Sequence, residues 1–435
     1  MPAADNPPVK PGLCLLCLLL AVSGALPAQE SAPAEGVVLS AGSAGAYTLV
    51  ERSDWSRYDN GKYRGHVYRE VRASITPELR DEAKVYRGNF IVLEETLRDM
   101  RQSARGVDAV VPVRFTVSPG GNVTVEDDRG FPSLRGFPAY PAGAVRPGDR
   151  WTAEGLRAVD PLNQGSPLFI PLIAEYQYRG TEIYRDTPVH RINAVYASRY
   201  RNGSAGPVNA GSAEAPVSQV EGTHTVDIIL RVSDGLPLMM RDTLDETFTW
   251  ADGSTLRFRG FTLIFGEGSI PLNRDVTIAS LGERLGGPPA RGAPESAPQA
   301  GPAAEPPALA GAANIDLAPV PEGVRLTIRD LRFIPDSDEL LPEERGRLDL
   351  IAGALLGTPD RTFLVEGHTA AVGRPQGEME LSLLRAKRIS DELTSRGIPA
   401  ERFVYRGWGG ARPLAPNTDE AGRARNRRVE ITILE

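Results

Sequence analysis

The run from Gly286 to Ala312, GGPPARGAPESAPQAGPAAEPPALAGA, limits the fold of this chain more than any other feature. Leu309 is its one large apolar side chain, so the segment lacks the buried surface that would offset the entropy of ordering it. It reads as a linker, spanning about 30 Å as a flexible coil and up to about 80 Å if its prolines stiffen it. A chain of 435 residues is also too long for one ordinary core. The expectation is a multidomain protein in which residues 37–285 and 313–435 fold separately and move freely on the linker.

After Lys10 the apolar run LCLLCLLLAV leads into SGALPAQE, the pattern of a secretory signal peptide cut near Ala25 or Ala28. Residues 1–28 are assigned to it, which makes the remainder an exported, periplasmic chain. The two cysteines, Cys14 and Cys17, follow Leu13 and Leu16, where lipid attachment favours a small residue. Cleavage without lipidation is the preferred reading and a lipoprotein the alternative. Either way both thiols fall in the leader region, and no cofactor or metal site is expected. The net charge of −7 argues against nucleic acid, whose phosphates need a basic face. The mature region contains no apolar run of about 18 residues, so no membrane-spanning helix is expected.

Residues 37–285 read as β-rich, of sandwich or half-barrel type. Asp234-Gly235 and Asp252-Gly253 separate TVDIILRV, PLMMRDTLDETFTW and TLRFRGFTLIF, and such pairs accept the positive φ of a tight hairpin. A third hairpin is expected at Ser118 to Asn122. In TLRFRGFTLIF the apolar parity changes at Gly260, which predicts a β-bulge there. Asn202 to Gly222 reads as a long disordered loop, and a weak domain boundary is placed near Pro147-Gly148.

After the linker the pattern alternates. GVRLTIRD is a strand, Pro342 to Leu356 a helix with Leu348, Ile351, Ala352 and Leu355 inward, and TFLVEGH a strand. Gln376 to Ser395 is a second helix with an apolar stripe of Met379, Leu383, Ala386, Ile389 and Leu393, ended by Gly397 as a left-handed cap. FVYRGWG and RRVEITIL complete an α+β domain, βαβαβ with a final strand, its helices on one face of a mixed sheet.

The ordered blocks FIPDSDEL (Phe333 to Leu340), VEGHT (Val365 to Thr369), LSLLRAKRI (Leu381 to Ile389), RGWG (Arg406 to Gly409) and NRRVEI (Asn426 to Ile431) resemble the C-terminal OmpA-like domain. The resemblance covers about the last quarter of the chain and implies a non-catalytic module that associates with peptidoglycan. In that family the peptide stem, usually its diaminopimelate, is gripped by the arginine of the LSxxRA block, here Arg385, and by an aspartate directly after GHT. This chain has Ala370 at the second position, and Glu378 where the family places an asparagine. The GHTA variant resembles spirochaetal envelope proteins.

A lost hydrogen bond to a charged group weakens binding roughly 10- to 100-fold, so ordinary diaminopimelate recognition is expected to be weak or altered. Glu378 and Arg385, seven residues apart on one helix edge, could serve one ligand from opposite ends. The resemblance thus implies a stem-peptide site of Arg385, Glu378, Thr369, Ala370, Phe333 and Arg427. Its ligand would be peptidoglycan, including the type whose diamino acid lacks a second carboxylate. His368 is expected to shape the turn with a satisfied imidazole.

For the N-terminal region the sequence offers an unknown envelope protein or the outer membrane as partner, joined by the linker to the wall. Two alternatives stay open. One is a protein-binding scaffold that no longer holds peptidoglycan. The other is an envelope enzyme in the N-terminal half, which the four scattered histidines, His66, His190, His224 and His368, and the absence of HExxH or GxSxG spacing disfavour.

Overall fold

The computed structural model describes residues 36–41, 44–80, 83–97, 104–201, 217–269, 272–286, 314–358 and 361–435. The expected signal peptide lies outside the described residues, and so does the expected linker apart from Gly286.

The N-terminal region is one open antiparallel sheet of long strands. In chain order these are β1 (Tyr47–Asp59), β2 (Lys62–Arg80), β3 (Ala83–Leu93), β4 (Thr96–Leu97), β5 (Arg105–Val117), β6 (Val123–Val125), β7 (Leu134–Arg135), β8 (Arg150–Val159), β9 (Leu168–Tyr184), β10 (Thr187–Arg201), β11 (Val217–Arg231), β12 (Pro237–Trp250) and β13 (Thr255–Gly268). Their order across the sheet is β6-β5-β3-β2-β1-β13-β12-β11-β10-β9-β8-β7, with β4 against β2. Alternation places one face inward: along β9, Leu168, Ile170, Leu172, Ala174, Tyr176 and Tyr178 are all buried. The turn at Pro147-Gly148 lies inside this sheet, since β7 before it pairs with β8 after it.

The hairpins at Ser118 to Asn122, Asp234-Gly235 and Asp252-Gly253 form, with Gly235 at φ 70° and Gly253 at φ 82°. The bulge at Gly260 does not. β13 pairs in unbroken register with both β1 and β12, and Leu256, Phe258, Thr262 and Ile264 keep one parity inward. Phe261, Leu263 and Phe265 lie half-buried on the opposite side. Gly260 is there for space: a Cβ would sit 2.2 Å from the Asp54 carbonyl oxygen on β1. Val217 to Gly222, expected in a loop, begins β11; the rest of that loop, 202–216, lies outside the described residues.

The C-terminal domain contains β14 (Ile315–Val320), β15 (Gly323–Arg329), α2 (Arg345–Leu356), β16 (Phe363–His368), α3 (Pro375–Thr394), β17 (Phe403–Gly407), α4 (Glu420–Asn426) and β18 (Arg428–Leu434). Sheet order is β14-β15-β18-β16-β17, with β16 and β17 parallel and the remaining pairs antiparallel. The mixed sheet matches the sequence expectation, while β14 and α4 are additions to it. In α2 the four expected residues are buried. In α3 the inward face is Glu378, Ser382, Ala386, Ile389 and Leu393, whereas Met379 and Leu383 are exposed. The stripe is rotated because α3 approaches the sheet at a small residue: Cβ atoms on Gly367 and Gly407 would lie 2.0 Å and 2.4 Å from Ser382 atoms.

Residues 274–285 correct the expected division. Arg274–Arg284 is a helix, α1, capped by the Asn273 side chain, and Leu281 and Leu285 belong to the same core as Val324, Ile351 and Phe403. Arg274 also pairs with Glu435. The segment placed with the β-rich region therefore packs on the C-terminal domain. The two regions meet as well: β17 pairs in parallel with β5, Val404 opposite Arg105 and Tyr405 opposite Gly106. Ile91 and Leu93 share a buried cluster with Leu364, Val404 and Leu434. Residues 37–435 form one compact unit, which departs from the expected freedom between modules. Among the described residues, no helix is long and apolar enough to cross a membrane.

Candidate functional site

An open cleft of about 1740 Å³ lies between the 330–338 segment, the loop after β16 and the first half of α3. Phe333, Thr369, Ala370, Glu378, Arg385 and Arg427 all line it, so the fold brings the six residues named from sequence to one place.

Arg385 is the best-positioned cation. Its Nε donates to the Ser337 carbonyl at 3.1 Å, and its guanidinium lies over the Phe333 ring at 4.6 Å. Burial depresses its pKa, opposed by Asp336 and Asp338 and assisted by the like charge of Arg427. It lines the cleft and, among the described residues, forms no ion pair. The 333–338 loop is held over α3 by a second contact, Arg388 with Asp338 at 3.1 Å. Arg427 is exposed and pairs with Glu420.

Glu378 does not present a free anion to the cleft. It is 8% exposed, and its Oε1 accepts the backbone N–H groups of Val372 at 2.7 Å and Arg374 at 3.0 Å. Burial acts to raise its pKa, but backbone N–H groups of the loop hold it below the usual carboxylate value. The expected pairing of Glu378 with Arg385 across one ligand is therefore replaced by a clasp on the 371–374 loop. The reason is local: Arg374 supplies no side-chain cap, and Glu378 in the first turn of α3 is the acceptor within reach of the N–H groups just before the helix.

At the position of the missing acid, Ala370 is buried at 6% exposure, and Thr369 beside it has a buried Oγ1 with no protein partner. Thr369 is anchored by its own N–H to the Gly409 carbonyl at 3.0 Å. His368 ends β16 with Nε2 3.7 Å from Glu430, beyond hydrogen-bond reach, so its imidazole is not satisfied as expected; burial lowers its pKa. Behind it Glu430 accepts from Arg428 at 2.6 Å and, against the upward push of burial, is held at about 2 by His368 and Arg428.

The enzyme alternative gains one observation. Ser198, His224 and Asp242, on β10, β11 and β12, form a relay: Ser198 Oγ to His224 Nε2 is 3.1 Å and His224 Nδ1 to Asp242 Oδ2 is 2.8 Å. Sequence spacing could not show it, because the three residues meet only through strand register. The relay does not meet the needs of a nucleophile. Ser198 is 1% and His224 2% exposed, and Glu246 lies 3.5 Å from the same Nε2. A hydroxyl sealed in the sheet has no approach for a substrate carbonyl.

Residues 332–427 match the OmpA family. Outer membrane protein A of Bordetella avium is 36% identical over 117 residues, which are 27% of this chain and 60% of that protein. The peptidoglycan-binding protein ArfA of Mycobacterium tuberculosis is 34% identical over 103 residues, 24% of this chain and 32% of ArfA. The chain thus spans between about a third and three fifths of these relatives' length. An outer membrane protein of Borrelia burgdorferi B31, known as a solved structure, is 33% identical and matches 28% of this chain and 97% of its own, with a TM-score of 0.24.

Proposed function

We propose, with residues 332–427 belonging to the OmpA family, that the C-terminal domain binds the peptide stem of peptidoglycan through a carboxylate held by Arg385. The observation that carries this reading is a guanidinium fixed by Ser337 and Phe333 that lines the cleft and, among the described residues, has no ion pair. A planar fork of this kind suits a bidentate carboxylate. Ala370 places no anion at that position for a ligand ammonium, and the Thr369 hydroxyl is the polar group beside it. The protein is exported to the periplasm, non-catalytic, and associated with the cell wall and outer membrane. Its N-terminal sheet faces a separate envelope partner.

The test is titration of the full chain with muropeptides whose diamino acid has or lacks the second carboxylate, together with retention on purified sacculi. Binding that falls roughly 10- to 100-fold in Arg385→Ala supports the reading. Absence of affinity for both muropeptides and for sacculi would leave the domain as a protein-binding scaffold. A gain of diaminopimelate affinity in Ala370→Asp would mark position 370 as the point where recognition changed.

A further inference from the structure

The inward face of the N-terminal sheet encloses a second cavity, of about 580 Å³, within the usual range for a small-molecule site. Its walls are largely apolar, with Trp55, Leu244, Phe248 and Phe258 among them. One polar group is set into this surface from β1. Glu51 accepts a hydrogen bond from Ser133 Oγ at 3.0 Å and, among the described residues, has no ion pair.

The other charges on this wall are matched. Arg157 donates to both oxygens of Glu246 at 2.7 and 2.9 Å, and His224 meets Asp242 at 2.8 Å. Other charged side chains of the inner wall are paired too, Arg69 with Glu95, Glu70 with Arg72, Asp128 with Arg135 and Arg129 with Asp127, so among the described residues Glu51 is left without a cation whether or not His224 is protonated. Burial pushes the Glu51 carboxyl up, Ser133 and Arg157 pull it down and Asp242 adds to the rise. The rest of the lining has the same sign. Asp108 and Asp160 also line the cavity and, among the described residues, accept only from neutral donors: Asn163 Nδ2 at 2.9 Å from Asp108, and the Gly165 and Ser166 N–H groups at 2.5 and 3.1 Å from Asp160.

We propose that this cavity is a binding site for a small amphipathic amine, its ammonium on Glu51 and its apolar body against Ile264, which pairs across the strands with Glu51, and Leu244. An acidic lining draws a cation inward, and a half-buried carboxylate without a cationic partner favours a ligand that brings the missing charge. The apolar wall adds affinity for the apolar remainder. The site is independent of the C-terminal cleft and of its proposed ligand.

The experiment titrates the full chain with dansylcadaverine, an amine, and with dansylglycine, a carboxylate bearing the same fluorophore, and follows the emission of the dansyl group. All proteins carry Arg385→Ala, so that the acid does not report on the other cleft. Expected is saturable binding of the amine at least about 10-fold tighter than that of the acid, reduced about 10- to 100-fold by Glu51→Gln. Ala109→Trp, which fills the cavity wall without touching Glu51, should weaken both probes. The proposal is overturned if the amine does not saturate, if the two probes bind alike, or if either folded variant binds the amine as the parent does.

Discussion

Replacing Glu378 by alanine removes a clasp and should leave Arg385 in place, and the two effects can be separated. The carboxylate accepts N–H groups from Val372 and Arg374, and a hydrogen bond to a charged acceptor contributes about 1.5–3 kcal/mol. The loop itself is exposed, so its freed donors turn to water, and the net loss should stay near the value of one such bond, about 1.5–3 kcal/mol. In amide hydrogen exchange this corresponds to a drop in protection of roughly 10- to 150-fold at positions 372 and 374. Glu378→Gln keeps an acceptor without the charge and should lose about half as much free energy. Muropeptide affinity should then follow loop order, falling further in the alanine variant than in the glutamine variant. Were Glu378 a ligand-binding anion, Glu378→Gln would abolish binding while exchange at 372 and 374 stayed unchanged, and that result would refute the clasp.

Three further outcomes follow from buried contacts. Glu246, which burial would raise, is held at about 2 by Arg157 and His224 against an ordinary 4.5. Because its folded value is depressed, its contribution is complete above about pH 4.5 and lost as pH falls toward 2; urea midpoints should show this loss and Glu246→Gln should flatten it, at a cost at neutral pH on the order of 3–5 kcal/mol. Gly367→Ala places a Cβ 2.0 Å from the Ser382 carbonyl oxygen, a backbone atom that cannot step aside, so thermal unfolding of the variant should begin at least several degrees below the parent. A protease site inserted within 287–313 and cleaved should leave two fragments that co-elute in gel filtration, because α1 remains in the core of the C-terminal domain; fragments that separate would contradict that packing.

Much of this fold was legible where a local rule acts alone. Asp-Gly turns marked hairpins, 3.6-residue spacing marked α2, and the ordered blocks from Phe333 to Ile431 brought six residues to one cleft. Asn60-Gly61, with φ 48° and 76°, closes the β1–β2 hairpin and was equally readable, but the flanking RSDWSRY and KYRGHVY lack the clean alternation that draws attention to a strand. The failures lie where contact partners decide. Ser382 faces the sheet in place of Leu383 because glycines on two strands bring the helix close, and nothing in the helix sequence records that approach. Gly260 mimicked a bulge because half-buried aromatics on the outer face look like core in a one-dimensional pattern. Glu378 looked free to bind a ligand because its backbone partners are invisible to a side-chain motif.

The position of α1 changes what the Pro/Ala segment can do. Leu281 and Leu285 before it, and Ile315 after it, lie in one core, so both ends of residues 287–313 are fixed to the same body. A segment tied at both ends to one domain cannot set the distance between two domains, whatever its contour length. The passage from the N-terminal sheet to the C-terminal domain runs instead through the few residues between Gly268 and Arg274, and the β5–β17 pairing with the Ile91, Leu93 and Val404 cluster restrains it further. Wall and partner would then be joined by a compact body whose two binding surfaces keep a fixed relation. A load applied at the cleft would pass through the β17–β5 pairing into the N-terminal sheet.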